Sequence, residues 1–206
     1  MHCDKNSKFI CLLILFLSFS CLCHSANPKL LLITGCGRSG TGYIVAFLNA
    51  NGLDINHEDA RGYIGRDGCV SWPMLANSLS SRGPIINEKY IHVFHQVRHP
   101  LNVITSWFIN LKALDGTDWV FIRRHVPEIH KNDSLIVQCA KYWYYWNLKA
   151  EKIAEWRYRI EDIDQIIPEF ERRIGVHLDA SVLATIPRDT NTWTNTEKKV
   201  TWRYLK

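Results

Sequence analysis

One stretch near the start of the chain, LLLITGCGRSGTGYIVA from Leu30 to Ala46, restricts the fold more than any other. It opens with an apolar run, Leu30 to Ile33, that fits a buried strand and is too short for a helix. The segment GCGRSGTG follows at residues 35 to 42, and from Tyr43 to Asn49 the apolar residues recur at helical spacing. The order is therefore strand, glycine turn, helix. In such a turn successive backbone N–H groups point inward and the helix adds its positive dipole end, so the loop can cradle a phosphate or a similar anion.

The letters narrow the reading. From Gly35 to Gly40 the spacing matches the front of the nucleotide-binding P-loop, G-x-x-x-x-G-K-[ST], but Thr41 stands where that motif places its lysine. The cation sits inside the loop instead, at Arg38. Arg38-Ser39-Gly40-Thr41 after a strand resembles the 5′-phosphosulfate loop of the sulfotransferases, which take a sulfuryl group from 3′-phosphoadenosine-5′-phosphosulfate. A second stretch, YIHVFHQVRHPLNVITSW from Tyr90 to Trp107, strengthens that resemblance. Here a β-rich run from Ile91 to Val97 gives way at Pro100 to a helical pattern, with proline well placed in a first turn. Arg98 lies at the junction and Ser106 eight positions later, in the family's form R-x-P-x-x-x-x-x-S. In the family that pair holds the nucleotide's 3′-phosphate. A planar guanidinium can make paired charge-assisted bonds to phosphate oxygens, and a hydroxyl adds one more. A third segment, WRYRIEDI from Trp156 to Ile163, is similar to the late strand-plus-acidic motif of the family, with Ile160 in place of its aromatic residue.

The resemblance implies a P-loop NTPase-like α/β fold: a parallel sheet of four or five strands with helices on both faces and ligands at the strand carboxyl ends. It implies 3′-phosphoadenosine-5′-phosphosulfate as co-substrate and no metal. Gly37, Arg38, Ser39, Gly40, Thr41, Gly42, Arg98 and Ser106 would bind the nucleotide, with Arg38 also stabilising charge during transfer. A glutamate about 20 residues beyond the loop's cation serves as general base in the tyrosylprotein and heparan types. Glu58, after a short strand from Leu53 to Asn56, is similarly placed, and a one-residue difference in spacing leaves His57 as the second candidate. Beyond Pro187 the glycine-rich R-x-G-x-x-G-x-W-K segment of the cytosolic branch is absent, which aligns the chain more with the Golgi or luminal type. Arg188 and Lys198 are candidates for further phosphate contacts there.

Elsewhere the pattern predicts a polar loop over residues 59 to 72 bordering the site, with Arg61, Arg66, Asp67 and Trp72 as candidate contacts or solvated loop residues. A weak helix follows from Trp72 to Ser80. A long helix from Ser134 to Glu155 carries the aromatic run YWYYWN, read as core before acceptor groove. The next elements are a strand from Trp156 to Ile160 and an amphipathic helix from Ile163 to Ile174 closed by Gly175. His92, His95 and His99 are read as packed or hydrogen-bonded rather than metal-binding.

Lys5 and Lys8 precede an apolar run from Phe9 to Cys23 that ends in small residues, the pattern of a secretory signal. Because a spanning helix needs roughly 20 apolar residues, the pattern favours cleavage after Ser25 or Ala26 over an uncleaved signal anchor. The reading is thus a leader over 1–25 and one domain over 26–206, facing the Golgi lumen or secreted, with membrane contact only through an uncleaved leader. Four of the seven cysteines fall before residue 26. Cys36, Cys69 and Cys139 form neither a disulfide framework nor a CxxC metal site, and one bridge is the most they could make. The sequon Asn132-Asp133-Ser134 is a candidate glycosylation site. The formal charge of +5 suits an anionic co-substrate. Its even spread along the chain, with no nucleic-acid motif, argues against nucleic acid. The acceptor is a carbohydrate, a peptide or a small molecule. Two rival readings are a P-loop kinase or NTPase and a secreted glycan-binding protein on the same fold.

Overall fold

The computed structural model describes residues 27–58, 64–78, 88–111 and 117–187, with Thr201 and Arg203. The expected leader, Arg61, Arg188 and Lys198 lie outside the described residues. Five strands form one parallel sheet: β1 (Lys29–Thr34), β2 (Ile55–His57), β3 (Gly68–Val70), β4 (Tyr90–Val97) and β5 (Trp156–Arg159), in the order β2-β3-β1-β4-β5. The helices are α1 (Thr41–Ala50), α2 (Pro100–Leu111), α3 (Thr117–His125), α4 (Leu135–Ile153) and α5 (Ile163–Ile174). The α/β class and the parallel sheet of four or five strands expected from the sequence are what the chain adopts.

One expectation needs correction. Residues 59–72 are not all loop, because Gly68–Val70 is fully buried and pairs with both β1 and β2. Three residues show too little alternation to announce a strand. A Cβ at Gly68 would lie 1.8 Å from the Leu31 carbonyl oxygen, so this position in the sheet admits only glycine. Trp72, a candidate contact in that stretch, is a core residue at 6% exposed. Arg66 lies in solvent, paired with Asp67 at 2.7 Å. The weak helix expected after Trp72 is a single 3₁₀ turn, Pro73–Ala76.

Strand alternation sends Leu31, Ile33, Val70, Phe94 and Tyr158 to one face, where α1 and α5 cover them with Ile44, Phe47, Leu48, Ile163, Ile167, Phe170 and Ile174. The α5 residues fall at steps of three and four, so one stripe of the helix is dry, and burial of each such side chain contributes about 1.5–3 kcal/mol. Gly175, with φ of 69°, closes the helix by donating to the Glu171 carbonyl at 2.8 Å.

A second cluster gathers α2, α3, α4 and Trp72. Trp107, Trp119, Phe121, Tyr142 and Trp146 pack together there, and Trp72 meets Trp107, Phe121, Tyr142 and Trp146 edge to face at ring distances of 5.3 to 6.1 Å. The core reading of the aromatic run holds for Tyr142 and Trp146, both 0% exposed, while Tyr144 is 51% exposed. This cluster includes Cys36 and therefore packs against the turn that follows β1.

Strand order sets the site's position. After β1 the chain builds β2 and β3 on one side of it and β4 and β5 on the other, so the topological switch falls between β1 and β4 at their carboxyl ends.

Candidate functional site

The glycine turn lies at that switch. Gly35, with φ of 154°, passes so close to β4 that a Cβ would stand 2.3 Å from the Gln96 carbonyl oxygen. Gly40 has φ of 91° and serves as the N-cap of α1, a conformation that disfavours any side chain. Arg38 holds a left-handed φ of 69° without being glycine. Such a backbone costs about 1–3 kcal/mol and persists only where the surroundings fix it.

Those surroundings are on every side of the turn. The Trp107 indole donates to the Gly37 carbonyl at 3.0 Å, Gln96 Nε2 donates to the Ser39 carbonyl at 2.9 Å, and Arg98 Nη1 donates to the Arg38 carbonyl at 3.2 Å. Gly37 N donates to the Tyr142 hydroxyl at 3.0 Å, and Cys36 N donates to Asn147 Oδ1 at 3.3 Å. With three successive carbonyls held by side chains, the turn's shape is set before any ligand arrives. The N–H groups of a helix's first turn have no intrahelical acceptor, which leaves an anion as their natural complement. Ser39 points to the same conclusion: its hydroxyl is buried, the residue is 1% exposed, and its Oγ takes no hydrogen-bond partner among the described residues.

Arg38, Arg98 and Ser106 meet at this turn. Arg38 Nε donates to Ser106 Oγ at 2.9 Å. That bond uses one of the guanidinium's five donors and leaves Ser106 its own O–H to give. Burial pushes Arg38 below its ordinary pKa, opposed by the Glu58 carboxylate and assisted by the Arg98 charge. Arg98 is likewise pushed down by burial, against the pull of Glu161. Two partly buried guanidiniums brought together favour a bound anion. Arg98 also borders a cleft of about 380 Å³ between the β4–β5 edge and α4, whose walls include Val97, Pro100, Trp143 and Asn147, so a ligand can reach it.

Glu58 lies on the opposite flank. The end of β2 delivers His57 and Glu58, and Glu58 N donates to the Val70 carbonyl at 3.2 Å. Thr41 Oγ1 donates to Glu58 Oε1 at 3.3 Å, and His57 Nε2 lies 2.8 Å from the same hydroxyl and 3.3 Å from the carboxylate. The Glu58 side chain is 17% exposed. Burial raises its pKa to about 8; the Thr41 bond works against that rise, Asp118 adds to it and Arg38 opposes it. The residues the sequence singled out thus stand together, from Arg98 and Ser106 through Arg38 and Thr41 to Glu58 and His57. Gln96, Trp107 and Tyr142, which hold the turn, carry no sequence signal of that role, because each bond spans 57 to 105 residues of chain.

The three histidines of β4 and its end take other partners: His92 meets Glu155 at 2.7 Å, His95 meets Asn147 at 2.9 Å, and His99 N donates to Glu161 Oε1 at 2.8 Å. Among the described residues no group of three or more His, Cys, Asp or Glu is arranged to hold a metal ion. Cys36, Cys69 and Cys139 are free and buried.

No protein-family model matches the chain, and no curated protein matches it. Among solved structures, mouse sulfotransferase SULT7A1 complexed with PAP is similar over 80% of this chain and 64% of that one, at 15% identity and a TM-score of 0.38. The chain spans less than two thirds of that neighbour's length, and what its site can do rests on its own geometry.

Proposed function

We propose that the chain is a sulfotransferase, moving a sulfuryl group from 3′-phosphoadenosine-5′-phosphosulfate to a hydroxyl or amine acceptor. The observation that carries the reading is the convergence of Arg38, Arg98 and Ser106 on one preformed glycine turn, with the Glu58 carboxyl joined to that turn through Thr41. A donor with phosphate at both its 3′ and 5′ positions suits two cations, Arg38 and Arg98, that meet at one turn.

In the proposed reaction the acceptor attacks sulfur in line. The bond from sulfur to the bridging phosphate oxygen breaks as the bond to the acceptor forms, and adenosine 3′,5′-bisphosphate leaves. Arg38 and the amides from Ser39 to Gly42 stabilise the charge gathering on the sulfuryl and departing phosphate oxygens, as preorganised donors do in phosphoryl transfer. Arg98 and Ser106 hold the 3′-phosphate. Glu58 takes the acceptor's proton, a step worth about 10²- to 10⁴-fold in rate, with His57 at 3.3 Å as the second group that can accept it. A leader over 1–25 that delivers the domain to the secretory pathway belongs to the same proposal, as does an acceptor drawn from carbohydrates, peptides or small molecules.

The test is transfer of radioactive sulfate from the labelled donor to a panel of glycans and peptides. Wild-type protein labels an acceptor, and Glu58→Gln binds the donor yet lowers labelling by at least 100-fold, on the order expected for loss of a general base. Normal turnover by Glu58→Gln together with loss in His57→Ala moves the base to His57. A thermal shift with ATP–magnesium and none with adenosine 3′,5′-bisphosphate favours a kinase or NTPase, and glycan binding indifferent to both favours a non-catalytic protein.

A further inference from the structure

Thr41 carries one hydroxyl that two groups already share. Its Oγ1 lies 2.8 Å from His57 Nε2 and 3.3 Å from Glu58 Oε1, and those two atoms are themselves 3.3 Å apart. The same residue opens α1 directly after Gly40, is 6% exposed, and stands two positions from the Ser39 hydroxyl, which has no partner among the described residues. A hydroxyl has one proton to donate. An anion seated in the turn is a stronger acceptor than a shared carboxyl oxygen at 3.3 Å and competes for that proton.

We propose that Thr41 couples occupancy of the anion cradle to protonation of the Glu58 carboxyl beside His57. When an anionic ligand fills the turn, the Thr41 proton goes to the ligand, and the carboxyl, deprived of that donor, holds a proton more tightly. The inference rests on the nucleotide reading above and adds to it a regulation of the base by the donor. Its functional sense is that the base becomes more basic only when a donor is present to be attacked.

The groups around Glu58 fix the direction. Thr41 from α1 and Arg38 from the turn hold its proton affinity down, and Asp118 from α3 raises it. Cys69 of β3 and Tyr142 of α4 also sense its charge, both with proton affinities raised chiefly by their own burial, and His57 is its neighbour on β2. A ligand anion removes the Thr41 bond, engages Arg38 and adds negative charge. All three changes raise the carboxyl's affinity for a proton. The free carboxyl titrates at about 8, so binding takes up a proton at and above that pH and takes up none well below it, where the carboxyl is protonated in both states. The ligand's own phosphates, with second pKa near 6, are fully ionised there.

The experiment is calorimetry of adenosine 3′,5′-bisphosphate binding at about pH 8.5 in buffers of different ionisation enthalpy, which reads the number of protons bound. Wild type and Thr41→Ser are expected to take up about half a proton. In Thr41→Val the uptake falls by at least half, because the free carboxyl already lacks its donor, and in Glu58→Gln it disappears. Glu58→Gln keeps an oxygen that can accept the Thr41 hydroxyl and loses only the titrating group, which keeps the proposal testable should Thr41→Val fail to fold. Nucleotide binding without proton uptake in wild type, or with equal uptake in Thr41→Val or Glu58→Gln, overturns the coupling while leaving the nucleotide reading intact. No binding by wild type overturns the nucleotide reading, and the coupling with it.

Discussion

At the scale of single residues, Arg98 makes the clearest demand. Its guanidinium holds the carbonyl of Arg38, a residue in left-handed backbone, and is the cation assigned to the 3′-phosphate. Arg98→Ala removes a charged hydrogen bond to the ligand and loosens the turn, so adenosine 3′,5′-bisphosphate affinity should fall by about 2 kcal/mol or more; unchanged affinity by calorimetry would remove Arg98 from the site. That Arg38, Arg98 and Ser106 stand together could be read from the sequence, because they fall in two motifs of short spacing. Glu58 was legible as a position but not in its state. Nothing in its neighbours along the chain tells that Thr41, Arg38 and Asp118 surround it, or that burial carries its pKa to about 8. With Glu58 as base, kcat/KM should rise with pH through about 8, since the protonated carboxyl cannot accept a proton. A profile flat from pH 6 to about 9 would point to another base.

At the scale of elements, the unit β1, turn and α1 could be read directly, because an apolar run, glycines and helical periodicity occur there in that order. The α5 helix and its Gly175 cap were equally plain. β3 was hidden: Gly68–Val70 offers three residues and no alternation, and its strand character comes from neighbours on both sides in the sheet. The function of α4 was also invisible, since its aromatic run announces a core and says nothing of Tyr142 reaching the turn. That hydroxyl accepts the Gly37 N–H at 3.0 Å inside a dry cluster. Tyr142→Phe keeps the ring packing and strands a buried N–H, so unfolding free energy should drop by about 1–3 kcal/mol. The loss is read from denaturant melts, and nucleotide affinity should weaken alongside it. A melt identical to wild type would mean that the bond does not brace the turn.

At the scale of the whole molecule, one sheet with two cores divides the work: α1 and α5 stabilise one face, and the aromatic cluster of α2, α3 and α4 stiffens the turn at the switch between β1 and β4. A carboxyl held in so closed a place affects the stability of the entire domain. Its folded pKa of about 8 lies above the ordinary value of 4.5 for an exposed glutamate. The folded state therefore binds the extra proton between those values, and stability falls as pH rises through that window. Glu58→Gln, which has no charge to bury, should match wild type at about pH 4 and exceed it by on the order of 5 kcal/mol above about pH 8. Melts at a series of pH values check this, and a constant difference across the range would contradict it. The proposed transfer depends on one site gripping a nucleotide at both its phosphate ends. Calorimetry with adenosine 3′,5′-bisphosphate and with adenosine 5′-monophosphate tests that most directly. The bisphosphate should bind at least 10-fold more tightly, as expected of a charge-assisted contact to a second phosphate. Equal affinity for the two, or no binding of either, would contradict the account.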